Sequence, residues 1–555
     1  MRFIPPLLVV GVCYAAFACS SSNDAPAPST VHIFVDRPYA QRAQTVVTDA
    51  LRPLNVSVAL AVDEKSADVA LSSDKGGDKS SFIQRYWVPV VQLPSPATSI
   101  TSDQLRDALS GRTTTWADID GESTPLRVVA SSDPAPAFDL WWPDETPAVE
   151  TLSLDQIDVA LFVDPGTLAL VPLDDVNAGM RSLDVDGVNA VFGSGDLASY
   201  PLVEMRSIKK RHTDNDKFAQ AIDAAAAALQ HDLAALVPEP IIMRATGDII
   251  PARCALAKIQ SYGDYKHPFL ELGDWLRTAD ITVGSLDSSL ADISPPWPCE
   301  DTFNLAAPSA AIEGLTYSGF DLLTNAANHA LDCGQIGSCG PDAMFATNEN
   351  LRAKGIQVVG SGADLADARK PVILTVRGVR FAFLGYDDIA AYYHAEPSVP
   401  GTAPLDEAYV REDVAAAKAQ ADIVIVMPHW GIEYQAEPTE RQSEIAQAAV
   451  DAGADVILGN HPHWVEAVEM IGDSFVEYAL GNFVFDQDWS LETQQGAVIE
   501  LAFHPDGQRG AQLRGVRYRP VHIYDEQQPR FAEDGEADQI MKRIWDASAT
   551  LTVSP

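Results

Sequence analysis

Residues 451–466 read DAGADVILGNHPHWVE. Val456-Ile457-Leu458 is a short apolar run of the kind that forms a buried strand, and it stops at Gly459-Asn460-His461-Pro462-His463. Alternate residues of an extended segment face one side, so His461 and His463 are expected to reach the same ligand. ADIVIVMPHWGIEY, residues 421–434, is a second such run; it ends at His429, with Glu433 following in the next turn of chain. LTYSGFDLLTNAANHALDCG, residues 315–334, sets Asn325, Asn328, His329 and Asp332 just past Phe320-Asp321-Leu322-Leu323. ADITVGSLDSSLAD, residues 279–292, runs into Gly284, Ser285 and Asp287, and IIMRATGDIIPAR, residues 241–253, puts Asp248 after a β-branched strand and a glycine. Taken singly, each has an ordinary explanation: Gly-Asp is a common turn, Asn328 can cap a helix, and a lone histidine is more often a satisfied core residue. Taken together, imidazoles and carboxylates recur at the carboxyl ends of apolar strands, where α/β sheets place their sites.

An amide oxygen, imidazoles and carboxylates make a mixed donor set, better suited to Mn, Fe or Zn than to an all-oxygen calcium cage. The expectation is two divalent metal ions serving a hydrolase. The charge balance bears on the substrate. With 78 acidic against 38 basic residues the formal net charge is −40, which argues against nucleic acid as a partner. An anionic substrate then needs a locally positive site, and bound cations supply one.

The order of these motifs resembles the CapA family: Gly247-Asp248, Ser285-Leu286-Asp287, Ala327-Asn328-His329-Ala330-Leu331-Asp332, His429-Trp430-Gly431, His461-Pro462-His463, then Tyr478-Ala479-Leu480-Gly481-Asn482-Phe483. That family is associated with poly-γ-glutamate capsule synthesis and is related to calcineurin-like metallophosphoesterases. The resemblance implies an α/β fold, a four-layer α-β-β-α sandwich over residues 241–525. It also implies metal ligation by Asp248, Asp287, Asn328, His429, His461 and His463, a general acid at His329, and substrate or anion contacts at Arg253, Asn325 and Asn482. Two positions depart from the pattern. The family usually has Asn-Leu-Glu where this chain has Ser285-Leu286-Asp287, so that carboxylate arm is a methylene shorter; and Ile250 occupies the histidine position of the calcineurin-like Asp-x-His motif.

The chain begins MRFIPPLLVVGVCYAAFACSSSNDAPAPS, with an early Arg2, an apolar run to Phe17 and small residues around Cys19. The run is shorter than the ~20 residues a membrane helix needs, so residues 1–19 read as a secretory signal. Ala16-Phe17-Ala18-Cys19 resembles a bacterial lipoprotein processing box. That implies lipidation at Cys19, a flexible tether over residues 20–30, and anchoring at the extracytoplasmic face of the cell membrane; simple secretion is the alternative. In an exported protein the remaining Cys254, Cys299, Cys333 and Cys339 suggest disulfides, with Cys333–Cys339 and Cys254–Cys299 the expected pairing and four buried thiols the alternative.

Residues 31–237 alternate apolar runs with helical spacing and read as a separate α/β domain closed by Pro238-Glu239-Pro240, while 526–555 forms a tail or helix. VHIFVD, NVSVALAV, ADVALSS, YWVPVVQL, PLRVVASS and DVALFVDPGTLALVPL are expected as strands. Asp103–Gly121, with Ser110-Gly111-Arg112 and Trp116, resembles periplasmic phosphate-type substrate-binding proteins, which implies anion capture or a ligand-free accessory domain of the same shape. The basic run Arg206, Lys209, Lys210, Arg211 and His212 either grips an acidic polymer or is a solvated patch. The function expected is an exported, metallophosphatase-like hydrolase acting on an anionic envelope polymer or phosphoester, alongside other capsule-synthesis components. The alternative is a non-catalytic polymer-binding or assembly factor with a degenerate metal site.

Overall fold

The computed structural model describes residues 30–35, 40–73, 81–93, 95–119, 123–234, 239–297, 299, 302–337, 339–505 and 510–551. The signal segment with Cys19 and most of the tether lie outside the described residues. One compact unit takes the chain through Gln84 and again Met205–Ala235; the other takes Arg85–Glu204 and Leu236–Pro555.

In the first unit, Thr30–Phe34 pairs in parallel with Ser57–Leu60 and with Val69–Ser73, and the chain returns antiparallel along Arg206–Lys210. Helices Ala40–Leu51 and Asp216–Leu233 cover this sheet, burying Val47, Leu51, Phe218, Ile222 and Leu229 against Val31, Ile33 and Val69. The basic run is engaged locally: Lys209 with Glu64, Lys210 with Asp223, and Arg211 with Asp68.

In the second unit, residues 85–204 form parallel strands Arg127–Ser131, Glu150–Leu152 and Thr167–Pro172, with Trp87–Val90 antiparallel to the last. One expectation fails here. DVALFV of the expected strand 158–173 is helical, within Leu154–Val163, and only Thr167–Pro172 is extended. The reason is local: Ser153 and Gln156 form a capping box, and Ile157, Ala160 and Leu161 fall on one helical face. The Asp103–Gly121 segment forms helix Ser102–Leu109, a left-handed Gly111, and a buried Trp116 whose indole N–H donates to the Gly166 carbonyl at 3.0 Å. This region is joined to the rest of its unit by directed contacts. Arg514 donates to the carbonyls of Leu173, Asp174 and Val176, Arg517 pairs with Asp184 while lying over Phe192, and Gly515 leaves room for Val191, whose Cγ1 a Cβ would meet at 2.7 Å.

From Ile241 onward two sheets stack face to face. The larger runs, in spatial order, Gln357–Val359, Leu322–Thr324, Ile281–Leu286, Ile241–Ile249, Gln495–Pro505, Ala511–Tyr524 and Gln528–Phe531, with Asn482–Val484 also paired to Ile241–Ile249. The smaller runs Val372–Val376, Val379–Asp387, Ile423–His429, Val456–Leu458, Ser474–Glu477 and Val468–Ile471. Side-chain alternation fixes the layers. Phe381, Phe383, Ile425 and Met427 join Met243, Val283 and Leu501 in the core between the sheets. Their neighbours Ala382, Leu384, Val424 and Val426 face outward onto helices Glu407–Lys418 and Glu440–Ala452. On the opposite outer face Leu286, Leu323 and Val498 meet helices Arg253–Tyr262 and Asp342–Ala353. The domain is thus a four-layer α-β-β-α sandwich, and a one-residue register slip would reverse every one of these faces. The tail contributes to it: Gln528–Phe531 is an edge strand, and Ile540 and Ile544 of helix Asp534–Ser548 enter the inter-sheet core.

Candidate metal centre

The parallel strands of both sheets end at one rim. Asp248 lies at the end of Ile241–Ile249, Asp287 directly after Ile281–Leu286, Asn328 and His329 after Leu322–Thr324, His429 at the end of Ile423–His429, and His461 after Val456–Leu458. Close backbone approach makes this convergence feasible. A Cβ at Gly247 would lie 2.0 Å from the Gly481 carbonyl oxygen, and one at Gly459 would lie 1.9 Å from that of Tyr478, so glycine is required at both. The two histidine loops are locked together by Trp430 N–H to the Asn460 carbonyl, 3.0 Å, and Tyr434 N–H to the Pro462 carbonyl, 2.8 Å.

His429 Nε2 is 2.7 Å from Asn328 Oδ1 and 3.7 Å from Asp287 Oδ1. The rings of His429 and His461 are 4.8 Å apart, and those of His461 and His463 5.9 Å. Asp248 Oδ2 accepts from the His461 backbone N–H at 3.2 Å and lies 3.5 Å from His463 Nδ1. His461 and His463 do not reach the rim as alternate residues of an extended strand. Both take positive φ, 103° and 59°, a conformation costing on the order of 1–3 kcal/mol per non-glycine residue, so the local backbone is strained to present them.

Burial holds the His429 and His461 imidazoles well below their ordinary range, helped by the charges of neighbouring histidines. Neutral rings are what metal ligation requires. For His463, burial pulls in the same direction but is outweighed by its hydrogen bond to Asp248 and by the charges of Asp248, Asp287 and Glu433, so its net shift is upward. Burial raises Asp287, with Asp248 adding to the rise and His329 opposing it. His329 is different in kind. Burial lowers it, but the Asp287 charge and the 2.7 Å contact of its Nδ1 with Asp332 Oδ2 push it up to about 9.

Whether this cluster suits cations can be judged from its open atoms. Asp248 Oδ1, both Asp287 oxygens, His429 Nδ1, His461 Nδ1, Asn460 Oδ1 and Ser285 Oγ are buried without a hydrogen-bond partner among the described residues. An unsatisfied buried polar group costs about 1–3 kcal/mol, and such a concentration at the ends of several strands is an arrangement that a cation would satisfy. Nitrogen and oxygen donors with two carboxylates fit divalent transition ions. The shorter Asp287 side chain still reaches the cluster, through His429.

Three sequence expectations sit differently. Arg253 is not left open to an anion: its guanidinium is taken by Asp486 and the Thr302 carbonyl. Asn325 is fully buried behind the rim, donating to Asn348 Oδ1 at 2.9 Å. Asn482 faces His463, its Oδ1 2.9 Å from Nδ1, and so orients that ring. Glu433, absent from the expected ligand set, has a carboxylate oxygen grouped with ring nitrogens of His461 and His463, all within 4.8 Å of one another. Its signal in the sequence is its place four residues after His429, past Gly431, which takes φ 92°. Both disulfides form, Cys254–Cys299 and Cys333–Cys339, and each flanks a site loop.

Residues 243–487 match the family model described as Bacterial capsule synthesis protein PGA_cap. This segment is similar to the PGA_cap family. Among curated relatives, the chain is 33% identical over 233 residues to the PGA biosynthesis protein CapA of Bacillus subtilis (strain 168), covering 42% of this chain and 60% of that one. It is 31% identical over 277 residues to the capsule biosynthesis protein CapA of Bacillus anthracis, covering 48% of this chain and 65% of that one. The chain thus spans less than two thirds of either relative. Among solved structures, an ABC-type phosphate transport receptor from Vibrio cholerae aligns at TM-score 0.31 and 15% identity, covering 36% of this chain and 95% of that one. An NAD nucleotidase from Haemophilus influenzae aligns at TM-score 0.31 and 13% identity, covering 56% of each chain. Nothing about function follows from structural likeness at that level.

Proposed function

We propose that the PGA_cap-like domain is a metal-dependent phosphoesterase-like hydrolase that acts on an anionic envelope polymer, such as poly-γ-glutamate, or on a phosphoester linked to it. The supporting observation is the cluster of open, buried donors: Asp248 Oδ1, both Asp287 oxygens, His429 Nδ1 and His461 Nδ1. Asp248, Asp287, Asn328, His429, His461 and His463 would hold two divalent ions. Bound there, the ions supply Lewis acidity toward a phosphoryl oxygen and an attacking water. They also offset the −40 net charge that would otherwise repel an anionic chain.

His329 supplies the proton. Its Nδ1 is turned to Asp332, which favours the charged imidazole and leaves Nε2 to face the leaving oxygen. A water oxygen bonds to phosphorus, the phosphorus–oxygen bond to the leaving group breaks, and the His329 proton goes to that oxygen. The proton released by the attacking water returns the ring to its starting state. Export and anchoring through Cys19 belong to the same proposal, supported by the N-terminal pattern and by two disulfides, which persist in oxidising compartments.

The test is metal quantification of the purified protein with a screen of phosphodiesters and γ-glutamyl peptides. The expected result is about two bound transition ions per chain and turnover abolished in His461→Ala. A protein without bound metal, functioning unchanged after that substitution, would leave the assembly-factor reading in its place.

A further inference from the structure

Beside the metal centre Trp489 is 58% exposed, although tryptophan is among the more heavily buried residue types on average. A rigid loop holds it there. The Thr493 hydroxyl donates to the Gln487 carbonyl at 2.8 Å, the Thr493 backbone N–H donates to Ser490 Oγ at 3.2 Å, and the Gln494 side-chain amide donates to the Asp488 and Ser490 carbonyls at 3.3 and 3.1 Å. Tyr434 meets the tryptophan edge-on, with ring centroids 5.9 Å apart and planes at 81°. Tyr434 is fixed as well: its hydroxyl accepts from Gln487 Nε2 at 3.2 Å, and its φ is 64°. Its ring also lies 6.2 Å from that of His463. A ladder of three rings thus leads from the metal centre out to solvent.

The groups beside the two outer rings narrow the ligand class. Asp488 and Glu433, the immediate chain neighbours of Trp489 and Tyr434, are both exposed. Ionised carboxylates only accept hydrogen bonds, so they favour a ligand rich in hydroxyl donors and repel one that carries carboxylates of its own. Ile432 and Leu491, two positions from each ring, are exposed too, and apolar surface gathered in this way marks a place of contact. A flat apolar face edged with acceptors matches a neutral sugar, whose C–H faces are apolar and whose hydroxyls radiate from its edge. A nucleobase would use the same face, but the formal charge of −40 disfavours a nucleic-acid strand.

We propose that Trp489 and Tyr434 form a sugar-stacking subsite beside the metal centre, so that the substrate taken there carries a neutral sugar next to its phosphoryl group. This rests on the metal-dependent reading above and narrows its substrate class to a glycosyl phosphodiester. Binding energy gathered on a ring away from the reacting atoms serves to orient the phosphoryl group over the strand-end donors. An aromatic side chain already held rigid loses little freedom on binding, which is why Trp and Tyr serve as anchors.

The experiment is calorimetric titration of the full-length, Zn2+-loaded protein with non-hydrolysable phosphinate analogues of a phosphodiester, one with a glucosyl arm and one with an ethyl arm, and with a γ-linked glutamate trimer. Wild type is expected to bind the glucosyl analogue roughly tenfold more tightly than the ethyl one. Trp489→Ala, at an exposed position, is expected to erase that preference, and Trp489→Phe, which keeps a ring face, to retain most of it. Equal affinities of wild type for both analogues, a preference that survives Trp489→Ala, or a glutamate trimer bound more tightly than the glucosyl analogue would overturn this inference and leave the proposed function standing. A protein that takes up no Zn2+, Mn2+ or Fe2+ overturns the proposed function. The subsite is then decided by saturation-transfer NMR with maltotriose: transfer that Trp489→Ala abolishes upholds it, and transfer that is absent or survives the substitution removes it.

Discussion

The two halves of the site are built in contrasting ways. Around Asp248, Asp287, His429 and His461, buried polar atoms are left open. Around His329 the carboxylate and backbone groups are paired, although Asn304 Oδ1 is open. Asp332 Oδ2 accepts from His329 and from the Leu305 backbone N–H, its carbonyl accepts from the Ser289 hydroxyl, Asn304 donates to the Gly337 carbonyl at 2.8 Å, and a disulfide closes the following loop. Open donors on rigid strand ends are suited to gripping an added ion; an imidazole held at one nitrogen is suited to keeping one proton in one direction. The difference is that ligands must be left unsatisfied by the protein, whereas a general acid must be satisfied everywhere except at the atom it uses.

The largest expected effect tests the paired half. His329→Gln should slow hydrolysis of an alkyl phosphodiester by about 10²–10⁴-fold while leaving bound metal unchanged. The loss should shrink with a nitrophenyl ester, whose leaving oxygen needs no proton. Equal losses on both substrates would show that His329 acts on the ions and not on the leaving group.

A smaller effect, of opposite sign to the usual core substitution, tests the open half. Asp287→Asn removes a buried charge whose oxygens have no partner, so chelator-treated protein should gain about 1–3 kcal/mol in urea unfolding even as ion binding weakens. Destabilisation of the metal-free protein would mark Asp287 as structural and erase the contrast.

The effect smallest at any single step of pH concerns an open atom away from the metal-centre residues. Glu477 is fully buried, its Oε1 lacks a partner among the described residues, and its other oxygen meets the Tyr518 hydroxyl. Burial raises this carboxyl well above its ordinary range, so the native state holds a proton that the unfolded chain releases. The stability this contributes is complete below the unfolded value and is lost as pH rises toward the folded one. Glu477→Gln should flatten that slope, at most about 1.4 kcal/mol per pH unit, in melts between about pH 5 and 8. A slope unchanged by the substitution would show that the carboxyl is charged in the native state.

Much of this centre could be read from the sequence because its residues stand at strand ends. A β-branched run that stops at Gly-Asp, Asn-His or His-Pro-His announces both the strand and the rim. Side chains that depend on partners far along the chain could not be placed in this way. Arg253 is drawn to Asp486, 233 residues on, and Asn325 to Asn348 on a helix behind the sheet. Glu433 joins the centre only because Gly431 and Tyr434 take left-handed φ, which apolar periodicity does not encode. The helix Leu154–Val163 was missed for the complementary reason: its apolar run is short, and periodicity alone does not separate a short buried helix from a strand.

By itself the sequence determined the alternation of strand and helix, the donors at the strand ends and the acidic charge balance, since these follow from local pattern and composition. Tertiary structure decided which of those donors meet, which are already spoken for, and that residues 85–204 share a compact unit with the two-sheet domain that follows Ile241. The physical reason is that hydrogen-bond partnership and burial are properties of approach between distant segments, and no local pattern of residues specifies them.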